Sequence, residues 1–126
     1  MFGLGAETRI YLASGATDMR VGADGLYARV VGVLQQDPLS GHLFLFANKR
    51  RDRLKVLYFD GTGLWVCSKR MQGGCLHWPQ SETGRVQLSH TEFALLIGGI
   101  DLVGTKARKW YRRGISEVDY DARKTA

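Results

Sequence analysis

The sequence predicts an α+β fold: a single domain in which one helix packs on an antiparallel β-meander and a short helix lies toward the C-terminal end. Three observations predict it. Met19, Ala23, Leu26, Val30 and Val33 recur at helical spacing and form one apolar face. Three short β-like runs, LFLFA, LKVLYFD and LWVCSKR, then follow one another with polar turns between them. Finally, Ser89-His90-Thr91-Glu92 has the pattern of a capping box ahead of the apolar run Phe93–Ile97.

In chain order, Arg9-Ile10-Tyr11-Leu12-Ala13 reads as a short strand and Ser14-Gly15-Ala16-Thr17 as the turn after it. Thr17 or Asp18 is placed to cap the first helix. Gly22, Gly25 and Gly32 weaken that helix by about 1 kcal/mol each relative to alanine, so close packing on the sheet must hold it. Asp37-Pro38-Leu39-Ser40-Gly41 ends the helix and turns the chain.

From Leu43 the period changes to two. Leu43 and Leu45 alternate with Phe44 and Phe46, and Leu57 and Phe59 alternate with Leu54, Val56 and Tyr58, so both sheet faces carry apolar side chains and both need cover. Asp60-Gly61 suits a tight hairpin. Gln72-Gly73-Gly74 breaks the chain, and Cys75-Leu76-His77-Trp78-Pro79 is expected to form a brief edge segment, because Pro79 cannot donate to a ladder. Arg85-Val86-Gln87-Leu88 is a final strand. Leu88 and Phe93 close a hydrophobic staple around the capping box, and Gly98-Gly99 stops the helix. The domain is expected over residues 1–103. The basic C-terminal tail over 104–126 carries Lys106, Arg108, Lys109, Arg112 and Arg113 and is expected to lack a packed core of its own, with Trp110 and Tyr111 as candidate anchors.

A chain of 126 residues suffices for one core and not for two. Its net charge of +6 makes polyanions the first partner class to consider. No apolar run approaches the roughly 20 residues that span a bilayer, and the N-terminal residues lack the pattern of a signal peptide, so no membrane partner is expected and a cytoplasmic location is. Cys67 and Cys75 are too few for a disulfide framework and are expected to remain thiols.

No catalytic residue, metal site or cofactor is predicted. Most carboxylates occupy caps or turns, and Asp60, the best single acidic candidate, reads first as a turn residue before glycine. A small metal-dependent nuclease built on Asp18, Asp52 or Asp60 is the weakest alternative. Cys67, Cys75, His77 and His90 lack the compact spacing of zinc ligands. No nucleophile elbow, redox motif or phosphate-binding loop is present.

What stands out is a cluster of cations. Lys49, Arg50, Arg51 and Arg53 crowd one turn, Lys55 opens the next strand, and Lys69-Arg70 closes the third. A meander reverses the chain twice between the first group and the last, which brings both to one edge of the sheet. Clustered cations, arginine above all, suit phosphate contact, and Tyr58, Trp65 and Trp78 are candidates for stacking on bases. These seven basic residues form the candidate nucleic-acid-binding set.

Several stretches occur in a telling order: Thr17-Asp18-Met19-Arg20, the run from Asp37 to Phe46, Arg53-Leu54-Lys55-Val56-Leu57, Asp60-Gly61-Thr62-Gly63-Leu64, Lys69-Arg70 and Trp78-Pro79. Together, over about Thr8 to Ile100, they resemble the TnpB-type accessory protein encoded by the second reading frame of the bacterial insertion-sequence family sixty-six. The resemblance implies a non-enzymatic role in transposition beside a separate transposase, with that transposase, another accessory subunit and insertion-sequence DNA as partners. It transfers no catalytic residue. Gly74-Cys75 departs from the family's usual charged or bulky residue, and the tail after Gly104 is its variable part. The alternative within the same setting is a protein-interaction module whose arginines meet acidic residues of the transposase instead of DNA.

Overall fold

The computed structural model describes residues 5–98. They form a five-stranded sheet of order β4-β3-β2-β1-β5, made of β1 (Ile10–Ala16), β2 (Leu43–Ala47), β3 (Arg53–Phe59), β4 (Leu64–Arg70) and β5 (Arg85–Leu88). Helix α1 (Ala23–Arg29) joins β1 to β2, and α2 (His90–Ile97) follows β5. The α+β class, the β2-β3-β4 meander and the short second helix match the sequence expectation. The first strand adds a feature that local pattern does not encode: β1 runs parallel to β2, with Ile10 beside Leu43, and antiparallel to β5, which makes the sheet mixed.

Every residue of β2 is buried, because it is the central strand and is covered on both faces. Ile10, Leu12, Leu43, Leu45, Leu54 and Val56 face one layer, closed by Leu76, Trp78, Leu88, Phe93 and Leu96. Tyr11, Phe44, Phe46 and Leu57 face the other, closed by Leu26, Val30 and Leu34. Removing these side chains from water, at about 25 cal/mol per Å² of apolar surface, is the main force holding two helices and one irregular segment on the sheet.

Three local expectations are corrected. The segment Ser14–Ala16 belongs to β1 and is not a turn; instead the β1–β2 register slips between Leu12 and Ala16. Neither Thr17 nor Asp18 caps α1. The cap is Gly22, without a side-chain bond, while Asp18 folds back on Arg20 and the Thr17 amide bonds the Ala47 carbonyl at 2.8 Å. The apolar stripe also changes phase. After Arg29 the helix widens into a π-helical turn, Val30–Leu34, and ends with Gln35 in the left-handed conformation. The wider turn carries the inward stripe from Val30 to Leu34, so Leu34 is fully buried and Val33 is 39% exposed.

The Cys75–Pro79 segment is not a strand at an edge. It crosses the sheet face, where Leu76 and Trp78 are buried. At the second helix both local expectations hold. Ser89 Oγ accepts the Glu92 amide at 3.0 Å, and Glu92 Oε1 accepts the Ser89 amide at 2.8 Å. Leu88 and Phe93 are both buried on the same layer, and Gly98 is the C-cap. The basic tail lies outside the described residues.

Candidate nucleic-acid interface

The β2–β3 turn is organised by Asn48. Its Oδ1 accepts the Asp52 and Arg53 amides at 3.1 Å each, its Nδ2 donates to Asp52 Oδ1 at 2.7 Å, and its carbonyl accepts the Arg51 amide. These bonds hold Lys49 and Arg50 outward at the tip; the Arg50 side chain is 85% exposed, and its nearest carboxylate, Asp52, stands 4.0 Å away. The Asn48 bond comes first among the causes that lower the Asp52 pKa, ahead of Arg50 and Arg53.

Arg51 is directed elsewhere. Its φ of 60° turns it back over the sheet, where Nη2 donates to the Ser14 carbonyl at 3.0 Å and the guanidinium lies 5.9 Å from the centre of the Trp78 ring. Nη1 is buried with no partner among the described residues. Trp78 Nε1 in turn donates to the Ala13 carbonyl at 2.8 Å. Both carbonyls lie in the interval where β1 slips against β2, so Arg51 and Trp78 satisfy backbone acceptors there. Leu76, whose amide bonds the Arg51 carbonyl at 2.7 Å, fixes the same corner.

Strand alternation divides the remaining cations. Arg53 and Lys55 share a face with Leu57, the α1 side, and so do their cross-strand partners Arg70 and Ser68. Lys69, paired with Leu54, faces the opposite layer, where its Nζ donates to the Ile97 carbonyl at the end of α2 at 2.6 Å, and loss of water there lowers its pKa. Lys55 Nζ donates to the Val21 carbonyl at 2.8 Å and anchors the approach to α1.

Arg53 and Arg70 are therefore left directly opposite each other on the α1 face, both exposed, with neither guanidinium in an ion pair or hydrogen bond among the described residues. They line a shallow groove of about 300 Å³ with Met19, Lys55 and Ser68; Met19 also lines a second groove beside Lys49 and Arg50. The chain reversal does bring two separated basic groups together, but through four residues, Lys49, Arg50, Arg53 and Arg70. The other three of the seven are tethered to backbone carbonyls.

The sequence reading passed over Met19 as a groove residue and Arg20 as a cation. Arg20 is 91% exposed at its side chain but forks onto Asp18, with Nη2 to Oδ2 at 2.6 Å. That bond, with the Arg20 amide bond next, lowers the Asp18 pKa to about 2. The spacing of Asp18 and Arg20 is a signal for such a turn. The stacking candidates do not join this face: Trp78 is buried, and Trp65, although 54% exposed, pairs with Tyr58 toward the other layer. Asp60, at the other end of β3, accepts the Thr62 and Gly63 amides, the Thr62 hydroxyl and the Trp65 indole N–H, which together hold its pKa far below the ordinary carboxylate value. It seals the hairpin. Among the described residues no three His, Cys, Asp or Glu side chains gather as a metal-ligating group, and no helix is long and apolar enough to cross a membrane.

The fold and this surface define a small basic α+β protein with a facing pair of exposed arginines on one side of its sheet edge. Residues 8–107 match the family described as IS66 Orf2 like protein, and the chain belongs to that family, which places it among the accessory proteins of insertion-sequence transposition. Two relatives from Sinorhizobium fredii are similar along most of their length. Uncharacterized protein y4hO is 39% identical over 97 residues, covering 77% of this chain and 84% of the relative. Uncharacterized protein y4jC is 36% identical over 108 residues, covering 86% and 92%. No solved structure matches the chain.

Proposed function

We propose that this protein assists transposition by gripping the phosphates of insertion-sequence DNA through Lys49, Arg50, Arg53 and Arg70, and that strand-transfer chemistry belongs to a separate transposase. The observation that carries the reading is the Arg53–Arg70 pair. Like charges directly opposite on adjacent strands destabilise a sheet, and among the described residues no carboxylate forms an ion pair with either one. A phosphate seated between two guanidinium groups removes that repulsion and gains charge-assisted hydrogen bonds. None of the three stacking candidates lies on this face, and the contact proposed is to the backbone, which carries little sequence information.

Four phosphate contacts give a slope of log affinity against log salt of about −3.6 for duplex DNA. The test is a salt titration with duplex carrying the element's ends. Replacing Arg53 and Arg70 together by alanine should flatten the slope by about 1.8. An unchanged slope refutes the grip. Absence of DNA binding at low salt, together with capture of the transposase from nuclease-treated lysate, would assign the same arginines to a protein carboxylate surface.

A further inference from the structure

We infer that β4 is a self-association edge, through which two copies of this chain pair antiparallel into one continuous ten-stranded sheet with Cys67 of each copy at the two-fold axis. β4 is the outermost strand, and no described residue pairs with its outer side. The hydrogen-bonding phase of the β3–β4 ladder is fixed at both ends, by the Asp60 amide to the Gly63 carbonyl and by the Met71 amide to the Asp52 carbonyl. Because bonded and non-bonded pairs alternate, Trp65, Cys67 and Lys69 bond into β3, while Leu64, Val66, Ser68 and Arg70 direct their N–H and C=O groups outward. Seven residues therefore offer four that are free for pairing. The strand has no proline, and its only charges, Lys69 and Arg70, stand at one end.

Charge placement suits a second copy as occupant and limits its register. Registers shifted toward the C-terminal end set Lys69 or Arg70 against its own image, which like-charge repulsion opposes. Full overlap, centred on Cys67, pairs Val66 with Ser68 and Leu64 with Arg70 of the other copy in bonded positions. It sets Lys69 against Trp65 in a closer, non-bonded position. Trp65 is prepared for this contact: it is 54% exposed, and Asp60 holds its indole N–H at 2.7 Å, so one ring face is presented beside an ionised carboxylate. The Lys69 ammonium stays on its own Ile97 carbonyl, and the aliphatic stem of the side chain covers the indole of the other copy.

A two-fold axis normal to the sheet keeps both α1 faces on one side. The two copies of Arg70 then stand six residues apart along the seam, roughly 20 Å at about 3.3 Å per residue, so a pair of molecules presents two phosphate grips in one direction. The inference itself rests on β4 and stands whether or not the grips hold DNA.

The test uses the full chain under reducing conditions in sedimentation equilibrium. A concentration-dependent dimer is expected, and it should tighten as salt screens the repulsion between two molecules of net charge +6, opposite to the salt dependence expected for DNA. Ser68→Pro removes an outward N–H without touching the β3 ladder and should give a monomer. A second measurement needs no altered strand. Non-bonded partners lie about 4.5 Å apart at Cα, within the range of a disulfide. Diamide should therefore cross-link Cys75→Ser protein through Cys67, and should not cross-link Cys67→Ser protein. A monomer at every concentration, whether the edge is bare or covered by the chain's own residues, overturns the inference. So does cross-linking that passes only through Cys75.

Discussion

Arg70→Glu separates the fold from the proposed grip, because it should strengthen one while weakening the other. Arg70 lies directly across from Arg53, and among the described residues neither forms an ion pair, so the native pair is repulsive. Cross-strand charge pairs are worth about 0.2–1 kcal/mol in either direction. Reversing one sign exchanges a repulsion for an attraction, and on an exposed edge at low ionic strength the swing is about 1 kcal/mol. For a chain of this length that raises the thermal midpoint by about 4 °C, and the gain should shrink as added salt screens the pair. The same change removes one phosphate contact and places a carboxylate in the groove, so the salt slope of duplex binding should flatten by at least about 0.9. Thermal unfolding followed by circular dichroism and a fluorescence salt titration measure the two effects on one preparation. A fall in the midpoint would refute the claim that the Arg53–Arg70 pair is net repulsive, and an unchanged slope would refute its contact with phosphate.

Other consequences follow from the same geometry. Leu34→Ala should cost about 2–5 kcal/mol in urea unfolding, whereas Val33→Ala should cost under about 0.5 kcal/mol; equal costs would contradict the phase change at the π-helical turn. Arg51→Ala loses a charge-assisted bond of about 1.5–3 kcal/mol and a ring contact of about 0.5–1 kcal/mol, offset by release of the unpartnered Nη1, so a net loss of about 1–2 kcal/mol is expected with the DNA salt slope unchanged. A flattened slope would return Arg51 to the phosphate-binding set. His42 is held below its ordinary value of 6.5, by burial first and by Arg9 second, and its Nδ1 accepts the Arg9 amide at 2.9 Å. Its folded pKa is the lower one, so its contribution is complete above 6.5 and fades as pH falls through the folded value. An NMR titration should find its midpoint below 6.5, and His42→Gln should remove that part of the acid sensitivity. A midpoint above the ordinary value would contradict the burial.

The parts of the fold that were legible in the sequence are those written in neighbouring residues. The capping box and staple around Ser89 involve side chains within five positions of one another, so their chemistry announces itself. The double-sided alternation of LFLFA states that this strand is covered above and below, and the spacing of the three runs implies the meander that brings Arg53 beside Arg70. Alternation also contained the division of Lys69 from Arg70, since adjacent residues in a strand face opposite ways. The basic run alone did not reveal it, because charge counts carry no direction.

The sequence by itself determined the class of fold, the two-sided core, the second helix and the meeting of two basic groups at one sheet edge, all of which follow from periodicity and local caps. Only the tertiary structure decided that β1 lies parallel to β2, that the first helix changes phase at Val30, and that Arg51, Lys55 and Lys69 spend their charge on backbone carbonyls while Arg53 and Arg70 find none among the described residues. Those outcomes depend on which distant carbonyl comes within reach of a long side chain, such as Ser14 for Arg51 across 37 positions of chain. Distance through space is set by the packed core, and no pattern of neighbouring residues encodes it.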